Sequence, residues 1–378
     1  MRLVIAPDKF KGCLDAAAVC AAIARGWRRP DPGAQIDECP IADGGEGIVS
    51  ALVAATGGKI INRRVTGPLP EMKVNAAFGI LGDGKTAVIE MAAASGLALL
   101  KTEDRNPLLT TTFGTGELMC AAAEMGVEKI ILGIGGSATI DCGIGCAQAC
   151  GLPVLMEGGE PVSMTEPLVG GDLARVLFVK HGRGSKVDRV AIEVACDVTN
   201  PLCGPNGAAA VFGPQKGATA EQVAWFDQQL MRIAQHTGNL AAAETPGAGA
   251  AGGLGFALAA FFGAHMRRGI EIVIEATGLE RRLNGADLCI TGEGRLDSQS
   301  LSGKAAIGVG RLCKRLGVPC IAIVGAAGEG AERAAEEGIA KYVAISDGLE
   351  LRDAMDRAET LLVDSAAELA RNWRDARC

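Results

Sequence analysis

The sequence has few aromatic residues and histidines, and the two common nucleotide-binding glycine motifs are missing from its predicted ligand-binding segments. Phe, Trp and Tyr make up 3% of the 378 residues, and Tyr occurs once. None of the three histidines, His181, His236 and His265, lies in a sequence context typical of a general base. No G-x-G-x-x-G follows the first predicted strand, where the loop holds only Gly12, which argues against ordinary dinucleotide binding. The pattern G-x-x-x-x-G-K-[ST] is missing from the glycine-rich segment 133–143 and around Gly303 and Lys304, so a nucleotide bound at these segments would not use a classical P-loop.

A long apolar run and a basic stripe are also missing. The N-terminal residues lead directly into a short predicted strand, and no stretch resembles a signal peptide or a membrane span. We therefore expect a cytoplasmic protein with no membrane partner. The net charge is −7 with dispersed Lys and Arg, which argues against nucleic acid as a partner. An anionic small substrate stays compatible, because a few local cations suffice to bind it.

Cysteine is abundant, but its pattern does not indicate disulfides or a metal site. There are thirteen cysteines, an odd number in a long chain without a secretion signal, so most are expected to be reduced core residues. Cys142, Cys146 and Cys150 are four residues apart and would share one face of a helix. That spacing matches no zinc or iron–sulfur signature, so we expect them to pack as small apolar side chains.

Strand and helix patterns alternate at both ends of the chain and predict one discontinuous sheet domain. The N-terminal part predicts a strand at 3–6, a helix at 15–27 and a strand at 35–41. The alternation returns with predicted strands at 271–274, 287–291, 319–325 and 342–345 and a long helix at 349–373. Between these parts, alternating strands at 60–65, 73–78 and 85–91 mark a change near residue 60. We predict an α/β protein with a domain formed by residues 1–60 and 268–378 and an inserted mixed α/β domain formed by 61–267.

Residues 286–304 combine a predicted strand, a glycine turn, a polar cluster and the start of a helical pattern. A predicted strand at 288–291 ends at Gly292, and Glu293, Asp297 and Ser300 follow before Gly303 and Lys304 begin a helical pattern. The start of a helix suits an anion such as phosphate, whereas carboxylates suit a hard cation. The sequence is equally compatible with a glycine-rich loop that Ser300 or Ser302 caps and whose charges are only solvated.

Other predicted strands deliver polar and glycine residues to the same edge of a sheet, where open α/β sheets bind ligands. The residues that these strands deliver are Asp8 and Lys9 after the first strand, Asp43, Gly44 and Gly45 after the second, Gly135, Gly136, Ser137 and Thr139 after a strand at 129–134, and Asp197 and Asn200 after a strand at 191–196. In addition, residues 110–117 lead into a predicted helix, with Thr115 or a neighbour as its N-terminal cap.

Six segments together resemble the type-1 glycerate kinase family, and they occur in order from residue 1 to about 330. They are residues 6–12 (APDKFKG), 42–47 (ADGGEG), 112–117 (TFGTGE), 135–139 (GGSAT), 196–202 (CDVTNPL) and 292–297 (GEGRLD). The resemblance implies phosphorylation of D-glycerate by ATP with Mg²⁺, with 2-phosphoglycerate as the expected product. It also implies two α/β domains, one of them Rossmann-like with a parallel sheet, and an active site in the cleft between them. Cys13, Ile48 and Ile140 depart from the family pattern, which puts substrate preference or rate in doubt.

Phosphoryl transfer needs a metal, cations and a carboxylate that orients the acceptor hydroxyl, and these needs suggest roles for the candidate residues. We assign Asp197 as the orienting base, Asp297 and Glu293 as Mg²⁺ ligands, and Lys9 and Lys304 as cations for a carboxylate or for phosphates. Each has a structural alternative, since Asp197 and Asp297 could be caps and Lys9 could only pair with Asp8. Candidates for substrate or ATP binding are Asp8, Asp43, Gly44, Gly45, Gly114, Thr115, Gly135, Gly136, Ser137, Thr139 and Asn200.

Two other classes of function remain open at this point. A nicotinamide-dependent dehydrogenase would share the fold, although the missing dinucleotide motif counts against it. A non-catalytic sensor of small organic acids would keep the binding cleft without turnover. The sequence does not decide between carbon 2 and carbon 3 of glycerate, and it is compatible with a monomer or a homodimer.

Overall fold

The structure is a computed structural model that describes residues 1–158, 162–163, 165–179 and 185–375. Its strands and α-helices, numbered along the chain, are β1 (Arg2–Pro7), α1 (Ala16–Arg28), β2 (Gln35–Glu38), α2 (Ile48–Thr56), β3 (Lys59–Thr66), β4 (Lys73–Ile80), β5 (Thr86–Glu90), α3 (Ala92–Ser95), α4 (Phe113–Glu124), β6 (Lys129–Gly133), α5 (Ile144–Ala149), β7 (Val154–Met156), β8 (Val176–Val179), β9 (Ala191–Ala195), α6 (Ala208–Phe212), α7 (Ala220–His236), α8 (Leu240–Ala243), α9 (Ala250–Phe262), β10 (His265–Arg267), α10 (Gly269–Thr277), α11 (Leu279–Leu283), β11 (Leu288–Leu296), α12 (Ala305–Leu316), β12 (Cys320–Ala327), β13 (Lys341–Ala344), α13 (Leu351–Asp356) and α14 (Ala358–Asp375). Short 3₁₀ helices occur at Leu97–Leu99, Thr102–Asp104, Gly170–Arg175, Pro214–Lys216, Ser300–Ser302 and Ala331–Ala335.

The chain divides into two compact units. Unit 1 comprises Met1–Asp43, Ser50–Gly58 and Ile270–Cys378, and unit 2 comprises Gly44–Val49 and Lys59–Gly269. The division drawn from the sequence at residues 60 and 268 differs mainly in the segment 44–49, which belongs to unit 2. The carboxylate of Glu90, the last residue of β5, explains this placement, because its Oε1 accepts the N–H groups of Gly47 and Val49 at 3.0 Å each.

Unit 1 contains a parallel five-stranded sheet in the order β13-β12-β11-β1-β2. Its strands are rich in Ile, Val and Leu on both faces, as expected for a parallel sheet covered by helices. Helix α1 begins where Asp15 accepts the N–H of Ala18 at 2.8 Å, which is ordinary N-terminal capping. It packs against α14 so closely that a Cβ on Gly26 would lie 2.1 Å from the carbonyl oxygen of Val363.

Three sequence predictions for unit 1 are wrong. Residues 271–274 are not a strand, because they lie in α10; a short run of β-branched residues cannot be distinguished from a buried helix by periodicity alone. Strand β11 does not end at Gly292, since β12 pairs with it as far as Leu296. Gly292 instead allows a close approach, because a Cβ there would lie 2.1 Å from the carbonyl oxygen of Ile323. The predicted helix at 349–373 is two helices, α13 and α14, separated at Arg357.

Unit 2 contains a mixed six-stranded sheet in the order β10-β9-β6-β5-β4-β3. The meander predicted from the sequence forms the antiparallel part, β3-β4-β5, and β5, β6, β9 and β10 run parallel. A separate pair, β7 and β8, is antiparallel. The prediction of two α/β domains, one of them discontinuous with a parallel sheet, is confirmed by the two units.

The cysteines of the described residues form no disulfide. Cys146 and Cys150 are buried in the core of unit 2, but Cys142 is not on the same helix, because it precedes α5 with a left-handed φ of 50°. The predicted stripe of three thiols on one helix is therefore wrong, although the expected apolar packing is present. A different group, Cys289, Cys313 and Cys320, is buried in unit 1 with sulfur atoms within 4.8 Å of one another. None of the helices in the described ranges is long and apolar enough to span a membrane.

Candidate active site

The register between β1 and β11 brings two carboxyl groups to one edge of the unit 1 sheet. Pro7 is paired with Gly292, and the N–H of Asp8 donates to the carbonyl oxygen of Gly292 at 2.8 Å. Asp8, which follows β1, and Glu293, which lies within β11, are 9% and 7% exposed. The carboxyl ends of parallel strands are the usual ligand-binding edge of such a sheet.

Both carboxyl groups hold their protons more tightly than ordinary acidic side chains. Burial raises the pKa of Asp8 to about 7, and the neighbouring charge of Asp43 adds to this, while the Lys9 N–H, Lys9 and Lys304 oppose it. Burial also raises the pKa of Glu293 to about 7, with Ser300 and Lys304 opposing and Asp8 and Asp297 adding. A nearby positive charge would lower both pKa values, which is what a cation does at such a site.

One oxygen of Glu293 is of particular interest. Its Oε1 atom is buried and forms no hydrogen bond within the described residues. Buried carboxylate oxygens are normally hydrogen-bonded, and an unpartnered one indicates an ion or a functional group. Glu293 with Asp8 beside it therefore has the chemistry of a site for a hard cation, which prefers oxygen ligands.

Asp297 lies in a different environment from Glu293. Although burial acts in the opposite direction, hydrogen bonds from the Gln299 N–H and from Arg295 lower the pKa of the Asp297 carboxyl. Its two oxygens accept from Gln299 N and from Arg295 Nε at 3.0 Å each. These bonds form a turn in front of the 3₁₀ helix Ser300–Ser302, whose N-terminal cap residue is Gln299, so Asp297 does not occupy the cap position considered from the sequence. Lys304 occupies the N-terminal cap position of α12 without a side-chain capping bond.

Unit 2 contains a pocket of about 390 Å³ at the ends of β6 and β9. Gly44 and Gly136 have φ values of 97° and 73°, a region that favours glycine. A Cβ on Gly44 would lie 2.5 Å from Cα of Gly269, so this wall of the pocket has no room for a side chain. The sequence candidates that line the pocket are Gly44, Gly45, Gly135, Gly136, Ser137 and Asp197.

Asp197 is exposed at the end of β9, and the main chain orients its carboxylate. Its Oδ1 accepts the N–H of Gly269 at 3.0 Å. Asn200, three residues further on, does not line the pocket. The amide nitrogen of Asn200 donates instead to the carbonyl oxygen of Asn206 at 2.8 Å, which closes the loop after β9.

Three further candidates lie inside unit 2 and not on the pocket wall. Thr115 is fully buried, and its hydroxyl donates to Ser95 Oγ at 3.0 Å. It is therefore not the cap of α4, which begins at Phe113. A Cβ on Gly114 would lie 1.9 Å from the carbonyl oxygen of Thr66, so this glycine lets α4 pack against β3. Thr139 is also fully buried.

Lys216 is a pocket residue that the sequence analysis did not select. It is 2% exposed, and its Nζ donates to Ser137 Oγ and to the carbonyl oxygen of Thr139 at 2.8 Å each. Burial lowers the pKa of Lys216 to about 7, while the charge of Asp141 opposes the shift. The available signal was the segment 213–217 (GPQKG), in which a lysine stands in a tight glycine loop. His236 and His265 do not line the pocket, and His181 lies outside the described residues.

Asp141 organises the main chain beneath this pocket. Its Oδ2 accepts from the N–H and hydroxyl of Thr112 at 2.8 and 2.7 Å, and its Oδ1 accepts from the N–H of Gly143 at 3.1 Å. Burial raises the pKa of Asp141, while the hydrogen bonds from Thr112, Gly143 and Gly145 oppose the shift. Four donors to one buried carboxylate indicate a structural role for this residue.

The model of the glycerate kinase family matches residues 3–374 of this chain. The chain belongs to the glycerate kinase family. It is 47% identical over 375 residues to a glycerate kinase of Bacillus subtilis, covering 98% of this chain and 97% of that one. It is 49% identical over 329 residues to a glycerate 2-kinase of Escherichia coli, covering 86% and 85% of the two chains.

A solved structure agrees with these relatives. A crystal structure from Salmonella typhimurium LT2, provisionally described as glycerate kinase 2, matches with a TM-score of 0.89 and 43% identity, and the match covers 100% of this chain and 99% of that one. The protein is therefore an enzyme, a glycerate kinase. The resemblance of the six sequence motifs to this family is confirmed. A glycerate kinase transfers a phosphoryl group, which requires groups that bind anions and groups that bind cations.

Proposed function

We propose that this glycerate kinase transfers the terminal phosphoryl group of ATP, bound with Mg²⁺, to the C2 hydroxyl of D-glycerate. The product would be 2-phosphoglycerate. The observation that carries the proposal is the buried, unpartnered Oε1 of Glu293 beside Asp8 in unit 1. A pair of acidic groups with a bare oxygen suits the metal on which kinases depend. The name of the Escherichia coli relative, glycerate 2-kinase, supports the choice of the C2 hydroxyl.

Glu293 would hold Mg²⁺ directly, and Asp297 would act through a water molecule. Mg²⁺ takes one or two protein carboxylates and keeps several waters. Both oxygens of Asp297 already accept hydrogen bonds, which makes it the weaker direct ligand of the two. When bound, Mg²⁺ would neutralise negative charge on phosphate oxygens. Asp8 and Asp43 would add to the negative field that attracts the ion, since Asp43 acts on Asp8.

Asp197 would orient the acceptor hydroxyl and accept its proton. The exposed carboxylate lies on the wall of the unit 2 pocket, and the Gly269 N–H fixes one of its oxygens at 3.0 Å. An oriented carboxylate is a suitable general base for a hydroxyl group. Family membership supports this chemistry over hydride transfer, since the relatives are named as kinases.

The remaining candidates would bind anions or shape the pockets. Lys9 and Lys304 would hold phosphates or the glycerate carboxylate as point charges. In the unit 2 pocket, the main-chain N–H groups of Gly135 and Gly136 donate to no acceptor within the described residues, so they are suited to an anion. Gly44 and Gly45 would form a part of the pocket wall that has no side chains. Gly114, Thr115, Thr139 and Asn200 would act indirectly, by packing or by hydrogen bonds. A cytoplasmic location, a monomeric or homodimeric state and an active site in a cleft stay predictions.

The test is to incubate the protein with ATP, MgCl₂ and D-glycerate and to identify the product by phosphorus NMR. A 2-phosphoglycerate resonance that disappears when EDTA removes the metal is the expected result. A 3-phosphoglycerate resonance would overturn the choice of hydroxyl, and transfer that continues in EDTA would overturn the role of Mg²⁺. L-Glycerate serves as the matched control for the configuration of the substrate.

A further inference from the structure

The hydrogen bonds of Lys216 leave two donors of the unit 2 pocket available. A lysine ammonium group has three N–H donors and accepts nothing. Two of these donors go to Ser137 Oγ and to the Thr139 carbonyl oxygen at 2.8 Å each, which leaves one. Because Ser137 Oγ accepts from Lys216, its own hydrogen must point elsewhere. The pair thus offers one N–H and one O–H, and both residues line the pocket.

A negative charge nearby would stabilise the buried ammonium group of Lys216. Within the described residues, no carboxylate lies at ion-pair distance from its Nζ, although 98% of the residue is hidden from solvent. Asp141 interacts with it only through space, and the oxygens of Asp141 are occupied by Thr112, Gly143 and Gly145. Burial of an unpaired cation is costly. An anion that enters the pocket would compensate this cost.

We propose that Lys216 and Ser137 form a paired donor that binds an anionic oxygen of one reactant in the unit 2 pocket. Lys216 supplies the charge and one N–H, and Ser137 supplies its O–H. The anionic oxygen belongs either to the carboxylate of glycerate or to a phosphate of the nucleotide. This inference deepens the function proposed above and rests on it only for the identity of the nucleotide.

The protonation of Lys216 gives the proposal a signature that a structural lysine would not have. Because burial lowers its pKa to about 7, the amine is largely neutral at pH 8 in the free protein. A bound anion raises the pKa of a neighbouring amine, so binding at pH 8 takes up a proton. Among the described residues, the other titratable groups around it are Asp141, beneath the pocket, and Cys196 and Asp197, on its wall.

The experiment measures binding by calorimetry, separately for D-glycerate and for a non-hydrolysable ATP analogue with Mg²⁺. Titrations at pH 8 in two buffers of different ionisation enthalpy give the number of protons taken up. We expect Lys216→Met to weaken one of the two reactants about 30-fold and to abolish its proton uptake, since hydrogen bonds to charged groups contribute this much. Ser137→Ala, which leaves the charge in place, should weaken the same reactant about tenfold.

The reactant that is weakened identifies the source of the anionic oxygen. A loss confined to D-glycerate assigns it to the carboxylate, and a loss confined to the nucleotide assigns it to a phosphate. Unchanged affinity and unchanged proton uptake for both reactants in Lys216→Met and Ser137→Ala would overturn the proposal. Lys85→Met is the matched control, because Lys85 pairs with Glu128 on the surface. Because calorimetry measures binding without catalysis, its outcome does not depend on which product the enzyme forms. An unexpected phosphorylated product would therefore refute the proposed function but not the binding role of Lys216 and Ser137.

Discussion

Asp8 and Glu293 each stand one residue beyond a register-matched pair, Pro7 of β1 and Gly292 of β11. Two buried carboxyl groups therefore lie at one edge of the unit 1 sheet, and each has a pKa raised to about 7. Near neutral pH, each of these two carboxyl groups is therefore partly protonated and partly ionised. Metal binding, stability and activity should all depend on pH in this range.

The stability of the ligand-free protein should reveal these raised pKa values. A carboxyl group whose folded pKa lies above its unfolded value costs stability above the folded pKa, and the cost disappears as the pH falls toward the unfolded value. Asp8→Asn should therefore be more stable than the wild type at pH 8, by on the order of 4 kcal/mol, and should lose most of this advantage by pH 4. Urea unfolding at both pH values measures the difference. An advantage that does not change with pH would contradict the raised pKa.

Glu293→Gln should raise the Mg²⁺ concentration required for half-maximal activity by about tenfold or more, because an amide oxygen binds Mg²⁺ far less well than a carboxylate. Asp297→Asn is the comparison, and its effect should be smaller because Asp297 already accepts two hydrogen bonds. Steady-state rates over a range of Mg²⁺ concentrations measure both variants. The same Mg²⁺ requirement in Glu293→Gln and the wild type would exclude Glu293 as a ligand.

Asp197→Asn should lower kcat by about 100-fold or more with little change in the Mg²⁺ requirement. The asparagine side chain still offers an oxygen to the Gly269 N–H, so the substitution removes the charge and keeps the geometry. Initial rates at saturating ATP and glycerate provide the measurement. A large change in the Mg²⁺ requirement would instead identify Asp197 as a metal ligand.

Gly44→Ala should abolish most of the activity, because the new Cβ would lie 2.5 Å from Cα of Gly269 in the wall of the pocket. Gly126→Ala is the matched control in the same unit. Gly126 has a φ of 79°, and a Cβ there would meet nothing within 4 Å. Both variants incur backbone strain of about 1 kcal/mol, and only the first has the steric clash. Comparable activity in the two variants would show that the tight wall is not needed.

Arg282 should be a major contributor to the stability of unit 1. Its guanidinium donates to Asp37 Oδ1 at 2.5 Å and to the carbonyl oxygens of Ala55 and Thr277 at 2.6 and 3.0 Å. Arg282→Met should lower the free energy of unfolding by about 2 to 3 kcal/mol, because it leaves three acceptors unpaired. Arg311→Met, which removes a more exposed pair with Glu337, should cost less than about 1 kcal/mol. Equal losses in the two variants would contradict this ranking.

Features with local causes could be predicted from the sequence. Helix α7 (Ala220–His236) has such causes, because Thr219 and Gln222 form a capping box at its start and its apolar side chains repeat at helical spacing. The carboxylates of Asp8, which follows β1, and of Glu293, which lies within β11, were also found, since an acidic residue after a run of buried strand residues is a local pattern.

Features that depend on distant parts of the chain could not be predicted. Lys216 contacts Ser137 and Thr139, which are 79 and 77 residues away, so the glycine loop around it does not by itself indicate that the lysine is buried. The conformation of residues 271–274 was predicted wrongly, because it depends on packing against distant parts of the chain. Ile270, at the start of the same helix, packs so closely against Gly308 of α12 that a Cβ added to Gly308 would lie 2.3 Å from Ile270 Cγ1.

Strand β1 lies between β2 and β11 in the unit 1 sheet. During translation, β1 and β2 leave the ribosome early, but β11 begins only at Leu288. The first strand of the nascent chain must therefore wait for the synthesis of more than two hundred residues before one of its edges is paired. Until then, that edge presents unpaired N–H and carbonyl groups and is exposed to association with other chains. Chains that terminate before Leu288 should accumulate as aggregates or be degraded.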